Sequence, residues 1–222
     1  MGLSDVLRSQ VAPIWAACSQ HQFVLGIGDG SLAAERFRFY IRQDYVFLIE
    51  FSRVLALAAA RSDDLEAMGR YAALLDATLN GEMELHRGYC ARLGIGREEL
   101  EETPAAPVTH AYTRHLLHVG HSGTLGEITA ALIPCLRGYA EIGIELAERG
   151  EPVAQPLYGE WIRTYASPKV QEIAGWTCAL LDRLAEDAGQ DEQQRISRIF
   201  TTSSRYELLF WDAAYEMRDW PL

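Results

Sequence analysis

Three reactive side chains stand where helical periodicity asks for a core residue. Asp44 shares a face with Phe37, Tyr40, Ile41, Phe47, Leu48 and Phe51. Glu207 shares one with Phe200, Trp211 and Tyr215, and Cys135 one with Ile128, Leu132, Tyr139, Ile142 and Leu146. Spacings of three, four and seven turn each group toward the inside of an amphipathic helix. A bare carboxylate is expensive to bury, so such a group must be paired, hydrogen-bonded or neutral. A carboxyl in apolar surroundings also titrates closer to neutral pH, which suits a general acid or base. The competing reading is a structural ion pair, with Arg42, Arg53 or Arg205 as partners. Two carboxylates and a thiol on three separate helices predict one enclosed polar site.

Pro134 precedes Cys135 inside a helical pattern. A proline there removes one backbone hydrogen bond and displaces the carbonyl four residues earlier, that of Ala130, which can turn the thiol into a cavity. The plainer alternative is a small buried hydrophobe, the usual fate of a free cysteine. Cys18, Cys90 and Cys178 form no C-x-x-C pair and read as reduced thiols rather than a disulfide framework. His115, His118 and His121 fall at three-residue intervals, and Glu82 and His86 are four apart. The paired Glu-x-x-His signature of di-iron bundles is missing, so no metal is expected. Gly26-Ile27-Gly28-Asp29-Gly30-Ser31 lacks the Lys-Ser/Thr of a phosphate loop and follows no strand. It reads as a turn, with Ser31 capping the next helix and Glu35 in its first turn. Tyr112, Tyr139, Tyr165, Tyr206, Tyr215, Trp161 and Trp211 are mostly core by pattern; a few at inward positions could stack on a flat heteroaromatic ligand, and periodicity does not say which.

The elements that must position these groups are helices. A 3.6-residue period runs through segments at roughly 4–20, 32–60, 63–93, 105–121, 124–149, 156–166, 168–188 and 191–217. No alternating strand pattern interrupts them, which predicts an all-α fold. The Gly/Pro breaks are local punctuation, so residues 1–222 are expected to form a single domain. With 49% hydrophobic residues the chain can bury a large core. A formal net charge of −11 argues against nucleic acid and against anionic membranes. No apolar run reaches the roughly 18 residues of a bilayer span. The N-terminal residues lack a signal-peptide pattern, and a cytoplasmic protein is expected.

Several ordered motifs carry a resemblance. His21 to Leu32 (His-Gln-Phe-Val-Leu-Gly-Ile-Gly-Asp-Gly-Ser-Leu) resembles the opening of the TenA (thiaminase II) family. Phe37-Arg38-Phe39-Tyr40-Ile41-Arg42-Gln43-Asp44 is similar to its Phe-x-x-Tyr-x-x-Gln-Asp signature. Pro134-Cys135 with Tyr139-Ala140-Glu141-Ile142-Gly143 resembles its nucleophile helix. Trp161 to Tyr165 and Ser203 to Trp211 resemble its last two signatures. The similarity runs in order from about residue 21 to 215.

The resemblance implies a multi-helix bundle like haem oxygenase, usually a homotetramer, with one pocket per subunit and no cofactor. It implies hydrolysis of 4-amino-5-aminomethyl-2-methylpyrimidine, or of thiamin, to 4-amino-5-hydroxymethyl-2-methylpyrimidine in thiamin salvage. By position, Cys135 matches the nucleophile, Glu207 the acid/base, and Asp44 the carboxylate that binds the aminopyrimidine. Tyr112, Tyr139 and Tyr165 match pocket tyrosines. Phe47 stands where the family commonly has tyrosine; it keeps the stacking surface and loses a hydroxyl. Gln22 stands where the family often has proline. Two other classes compete with this reading: a metal-dependent oxidase on the same fold, drawing on Glu82, His86 and His115, and a non-catalytic pyrimidine-binding or regulatory protein.

Overall fold

Wherever the apolar period runs without a Gly/Pro break, the chain is helical. The computed structural model describes residues 2–221. In chain order they form α1 (Leu3–Gln10), α2 (Ala12–Ser19), α3 (Gln22–Asp29), α4 (Ala34–Ala60) and α5 (Leu65–Ala77). A π-turn (Thr78–Glu82) leads into α6 (Met83–Arg92) and α7 (Arg97–Glu101). Then come α8 (Pro107–Ser122), α9 (Leu125–Arg149), α10 (Pro156–Tyr165), α11 (Pro168–Glu186) and α12 (Gln190–Glu216). No strand occurs among the described residues, as the all-α expectation required. No helix among them is long and apolar enough to cross a membrane.

The departures from the predicted segments have local causes. The segment at 4–20 is two helices, because Pro13 has no amide hydrogen to donate and must sit in a first turn. The glycine-bearing stretch read as a turn is mostly helix α3. Phe23, Val24, Gly26 and Ile27 are buried along it, and that packing outweighs the poor helix propensity of glycine. Gly30, at φ 79°, closes α3 in the left-handed region that an L side chain resists. Ser31 is not the cap of α4: that helix starts at Ala34, and the Ser31 amide donates to Asp29 Oδ1 at 2.8 Å. The long segment at 63–93 is broken by the π-turn, a rare element that periodicity does not announce.

Two compact units emerge from the contacts. One comprises residues up to Ala33 together with Thr129–Asp212, and the other Ala34–Ile128 with Ala213 onward. In the first, Leu7, Val11, Trp15, Ala130, Ile133, Leu181, Ile196 and Phe200 form a buried cluster. Trp15 stacks on Phe200 at 6.1 Å and donates its indole N–H to Ser204 Oγ at 3.0 Å. In the second, α4 packs against α5 and α8. The face it buries includes Phe37, Tyr40, Ile41, Asp44, Phe47, Leu48 and Phe51, the stripe expected from spacing.

Candidate active site

Within the second unit the acidic member of the α4 stripe is 5% exposed, and its partner is a histidine. His86 Nε2 lies 2.7 Å from Asp44 Oδ2, and His86 Nδ1 lies 2.9 Å from the Glu82 carbonyl oxygen. A carbonyl can only accept, so Nδ1 carries a hydrogen; one further proton must then lie between Nε2 and Oδ2. Burial works against a charged ring here. The Asp44 hydrogen bond and charge, followed by Glu82, outweigh it and hold the His86 pKa above its ordinary value. That shift favours the proton on the ring, facing the Asp44 carboxyl oxygen. Two of the arginines considered from sequence are engaged elsewhere: Arg42 with Thr103 and Glu99, Arg53 with Glu50 at 2.6 Å.

Gln43, the neighbour of Asp44, reads as part of the same motif and has its own task. Its amide donates to the Pro104 carbonyl at 3.1 Å and accepts from the Ala106 amide at 2.8 Å. That double bond fixes the entry to α8, which carries Tyr112. The Tyr112 ring then meets Phe47 at 5.1 Å between centroids, and Phe47 stacks on Phe51 at 5.6 Å.

Within the first unit Tyr139 is the hub of an aromatic cluster. Its ring lies 4.8 Å from Tyr165, 5.1 Å from Trp211 and 5.9 Å from Trp161. Gly143 makes this possible. A Cβ there would stand 2.5 Å from the carbonyl carbon of Tyr165, so α9 and α10 approach closely only because position 143 has no side chain. Gln171 ties the contact by donating to the carbonyls of Ala140 and Tyr165 at 3.0 and 3.1 Å.

Glu207 is 7% exposed and lines a cavity of about 410 Å³, its open mouth included, together with Trp15, Cys18, Pro134, Tyr139 and Trp211. Arg8, Glu141 and Glu145 contribute further polar lining, and Arg8 Nη2 pairs with Glu141 at 2.9 Å. Sequence reasoning missed Arg8, Trp15 and Cys18 at this cavity, since they sit on α1 and α2 with no chemical motif to mark them. Cys18 is not a competing nucleophile. Burial, then the charges of Glu207 and Asp212, push its thiol up to about 12 against the opposing pull of Arg8, so almost none is thiolate near neutral pH.

Cys135 departs from its stripe in an informative way. Ile128, Leu132, Tyr139, Ile142 and Leu146 are buried, whereas Cys135 is only half-buried. Gly138 follows one turn along the same helix, and a Cβ there would meet nothing within 4 Å. Cys135 does not itself line the cavity of Glu207; Pro134 and Gly138 do. Among the described residues no three His, Cys, Asp or Glu side chains gather to hold a metal ion.

One unit of this all-α chain buries a carboxylate against a histidine, and the other sets a carboxylate at an aromatic-lined cavity. The TENA/THI-4/PQQC family model matches residues 8–217, and the chain belongs to that family. It is 45% identical to the aminopyrimidine aminohydrolase of Halalkalibacterium halodurans, over 99% of this chain and 98% of that one. It is 36% identical to the enzyme of the same name from Bacillus subtilis, over 99% of this chain and 92% of that one. Among solved structures, a TenA family transcription regulator from a Silicibacter species matches with a TM-score of 0.88 at 36% identity, covering 96% of both chains. A domain with a heme oxygenase-like fold from Shewanella denitrificans matches at a TM-score of 0.75 over 96% of this chain and 92% of that one. At 14% identity it bears on the fold alone. The fold class is thus the all-α, haem-oxygenase-like one expected from sequence.

Proposed function

We propose that this protein is an aminopyrimidine aminohydrolase of thiamin salvage. It would convert 4-amino-5-aminomethyl-2-methylpyrimidine and water to 4-amino-5-hydroxymethyl-2-methylpyrimidine and ammonia, with thiamin as a second substrate. The observation that carries the reading is 45% identity across almost the whole length of a relative bearing that activity's name. The half-open Cys135 and the buried, cavity-lining Glu207 support it from the side of chemistry. The uninterrupted family match across residues 8–217 supports treating residues 1–222 as a single catalytic domain.

The residue roles follow from position in the family's motifs and from what each group can do. Asp44 accepts a hydrogen bond from the 4-amino group and attracts a cationic substrate. The pyrimidine C6 is a poor electrophile until a ring nitrogen is protonated, a step suited to a carboxylic acid held out of water. Cys135 forms a bond to C6, and the electron-rich ring that results expels the amine from the methylene carbon. Water adds at that carbon, Glu207 moving the protons, and the C6–sulfur bond breaks to restore the aromatic ring. Covalent addition splits one hard displacement into easier steps. By position in the family's motifs Tyr139, Tyr165, Tyr112 and Phe47 are the pocket aromatics, and aromatic walls exclude water from charged intermediates. A homotetramer acting in the cytoplasm without a cofactor completes the reading.

The decisive experiment is Cys135→Ser. Turnover of the aminomethylpyrimidine should fall by about 10³-fold or more, while the variant melts cooperatively and binds the hydroxymethyl product as wild type does. Full turnover in that variant removes the nucleophile assignment. Absence of any hydrolysis by the wild-type protein, with the product still bound, would favour a regulatory protein, a reading to which the Silicibacter relative's description lends some support.

A further inference from the structure

The Asp44–His86 contact is more than charge neutralisation. The His86 side chain is 2% exposed and both ring nitrogens are engaged. Tyr89 meets the ring edge-on at 6.2 Å and is itself braced edge-on by Phe37 at 6.1 Å. The ring is thus fixed from three sides: α4 through Asp44, the π-turn through the Glu82 carbonyl, and α6 through Tyr89. The charged groups acting on it are Asp44 from α4 and Glu82 from the π-turn, both acidic. Arg87, the next residue, is turned to the Tyr45 hydroxyl and Glu84 and brings no competing positive charge to the pair. Single-turn π elements leave a local rearrangement of carbonyls and often accompany functional sites. Here the rearranged segment ends at the carbonyl that His86 uses.

We propose that His86 is a positioning residue for aminopyrimidine recognition: it holds Asp44 as an oriented anion by occupying Oδ2, leaving Oδ1 to accept from the substrate's 4-amino group. The inference rests on the reading of Asp44 as the substrate-binding carboxylate. Its physical basis is simple. A deeply buried carboxylate is costly unless it is paired and hydrogen-bonded, and His86 supplies that partner. Without His86 nothing holds the carboxyl group in one rotamer, and the oxygen that faces the amino group is no longer fixed as an acceptor. His86 fixes both the charge and the rotamer without touching the pyrimidine, since its two nitrogens are already in use.

The test measures affinity of the intact protein for 4-amino-5-hydroxymethyl-2-methylpyrimidine by calorimetry, alongside kcat and KM for the aminomethyl substrate. Asp44→Asn should weaken product binding by about 10- to 100-fold, the loss expected for a charge-assisted buried hydrogen bond. His86→Leu should weaken it by a similar factor. In the Asp44→Asn background, the same His86→Leu change should alter affinity by less than about twofold, because groups acting through one another are not additive. The loss should fall mainly on KM. His86→Gln keeps an N–H donor within reach of Oδ2 and should bind at least about tenfold tighter than His86→Asn, whose shorter amide does not reach. That polar pair decides the matter if His86→Leu does not fold. Wild-type affinity in Asp44→Asn overturns the Asp44 reading. Lost affinity in Asp44→Asn together with wild-type affinity in folded His86→Leu, or equal binding by His86→Gln and His86→Asn, overturns the positioning role alone.

Discussion

Asp44 and Glu207 are buried to nearly the same degree, 5% and 7% exposed, yet the two regions around them differ in kind. Around Asp44 the protein supplies a fixed cation, a clamped ring and close aromatic packing. Around Glu207 it leaves a cavity, with the Cys18 thiol and the Tyr139 and Trp211 rings as neighbours. The first arrangement suits a carboxylate that must keep one charge and one direction. The second suits a carboxyl that must exchange protons and make room for a reacting group. Burial alone therefore does not define a carboxylate's task; what fills the surrounding space does.

Substitution can break this contrast at its largest point first. Glu207→Gln should lower kcat by about 10²- to 10⁴-fold, the usual worth of a general acid or base, with little change in KM; a dominant rise in KM would make Glu207 a binding group like Asp44. Asp44→Asn should show the opposite split, KM rising by about 10- to 100-fold while kcat holds more closely. Gly143→Ala should destabilise the protein by about 1–3 kcal/mol, since the added methyl meets backbone that cannot yield. Its melting temperature should then fall by about 2–4 °C per kcal/mol, and an unchanged melt would mean that the α9–α10 approach is more tolerant than the 2.5 Å contact implies.

Smaller effects sharpen the electrostatic side. The raised pKa of His86 means that its stabilising contribution is complete below the unfolded value of about 6.5 and is lost as pH rises through the folded value. The stability gap between wild type and His86→Gln should accordingly be widest below pH 6.5 and narrow above it in denaturant titrations; a gap that widens with pH contradicts the imidazolium assignment. At pH 8 a thiol with pKa about 12 is ~10⁻⁴ ionised, so iodoacetamide should label Cys135 well before Cys18 in a mass-spectrometric time course.

Much of this organisation could be read in the residues. The stripes of α4, α9 and α12 are long enough for periodicity to show which way Asp44, Cys135 and Glu207 face, and the ordered motifs pointed to the family. The partner of Asp44 was not legible. Glu82 and His86 stood out only as an i,i+4 pair, and Arg42 and Arg53 were closer in sequence; in the structure those arginines serve Thr103, Glu99 and Glu50 instead. Helix α3 was missed because glycine propensity argued for a turn while tertiary burial of Phe23 and Ile27 decided for helix. The half-burial of Cys135 was equally invisible. It is decided by packing between distant segments, which a pattern of apolar residues does not record.

The sequence by itself determined the long helices, which face of each turns inward, and which family the chain resembles. These properties follow from local spacing and from motifs in order along the chain. Only the tertiary structure decided that a histidine forty-two positions away neutralises Asp44, that Gln43 secures the start of α8, and that α10 can lie against Gly143. Such choices are made by distance and shape between distant segments, and periodicity carries direction without distance.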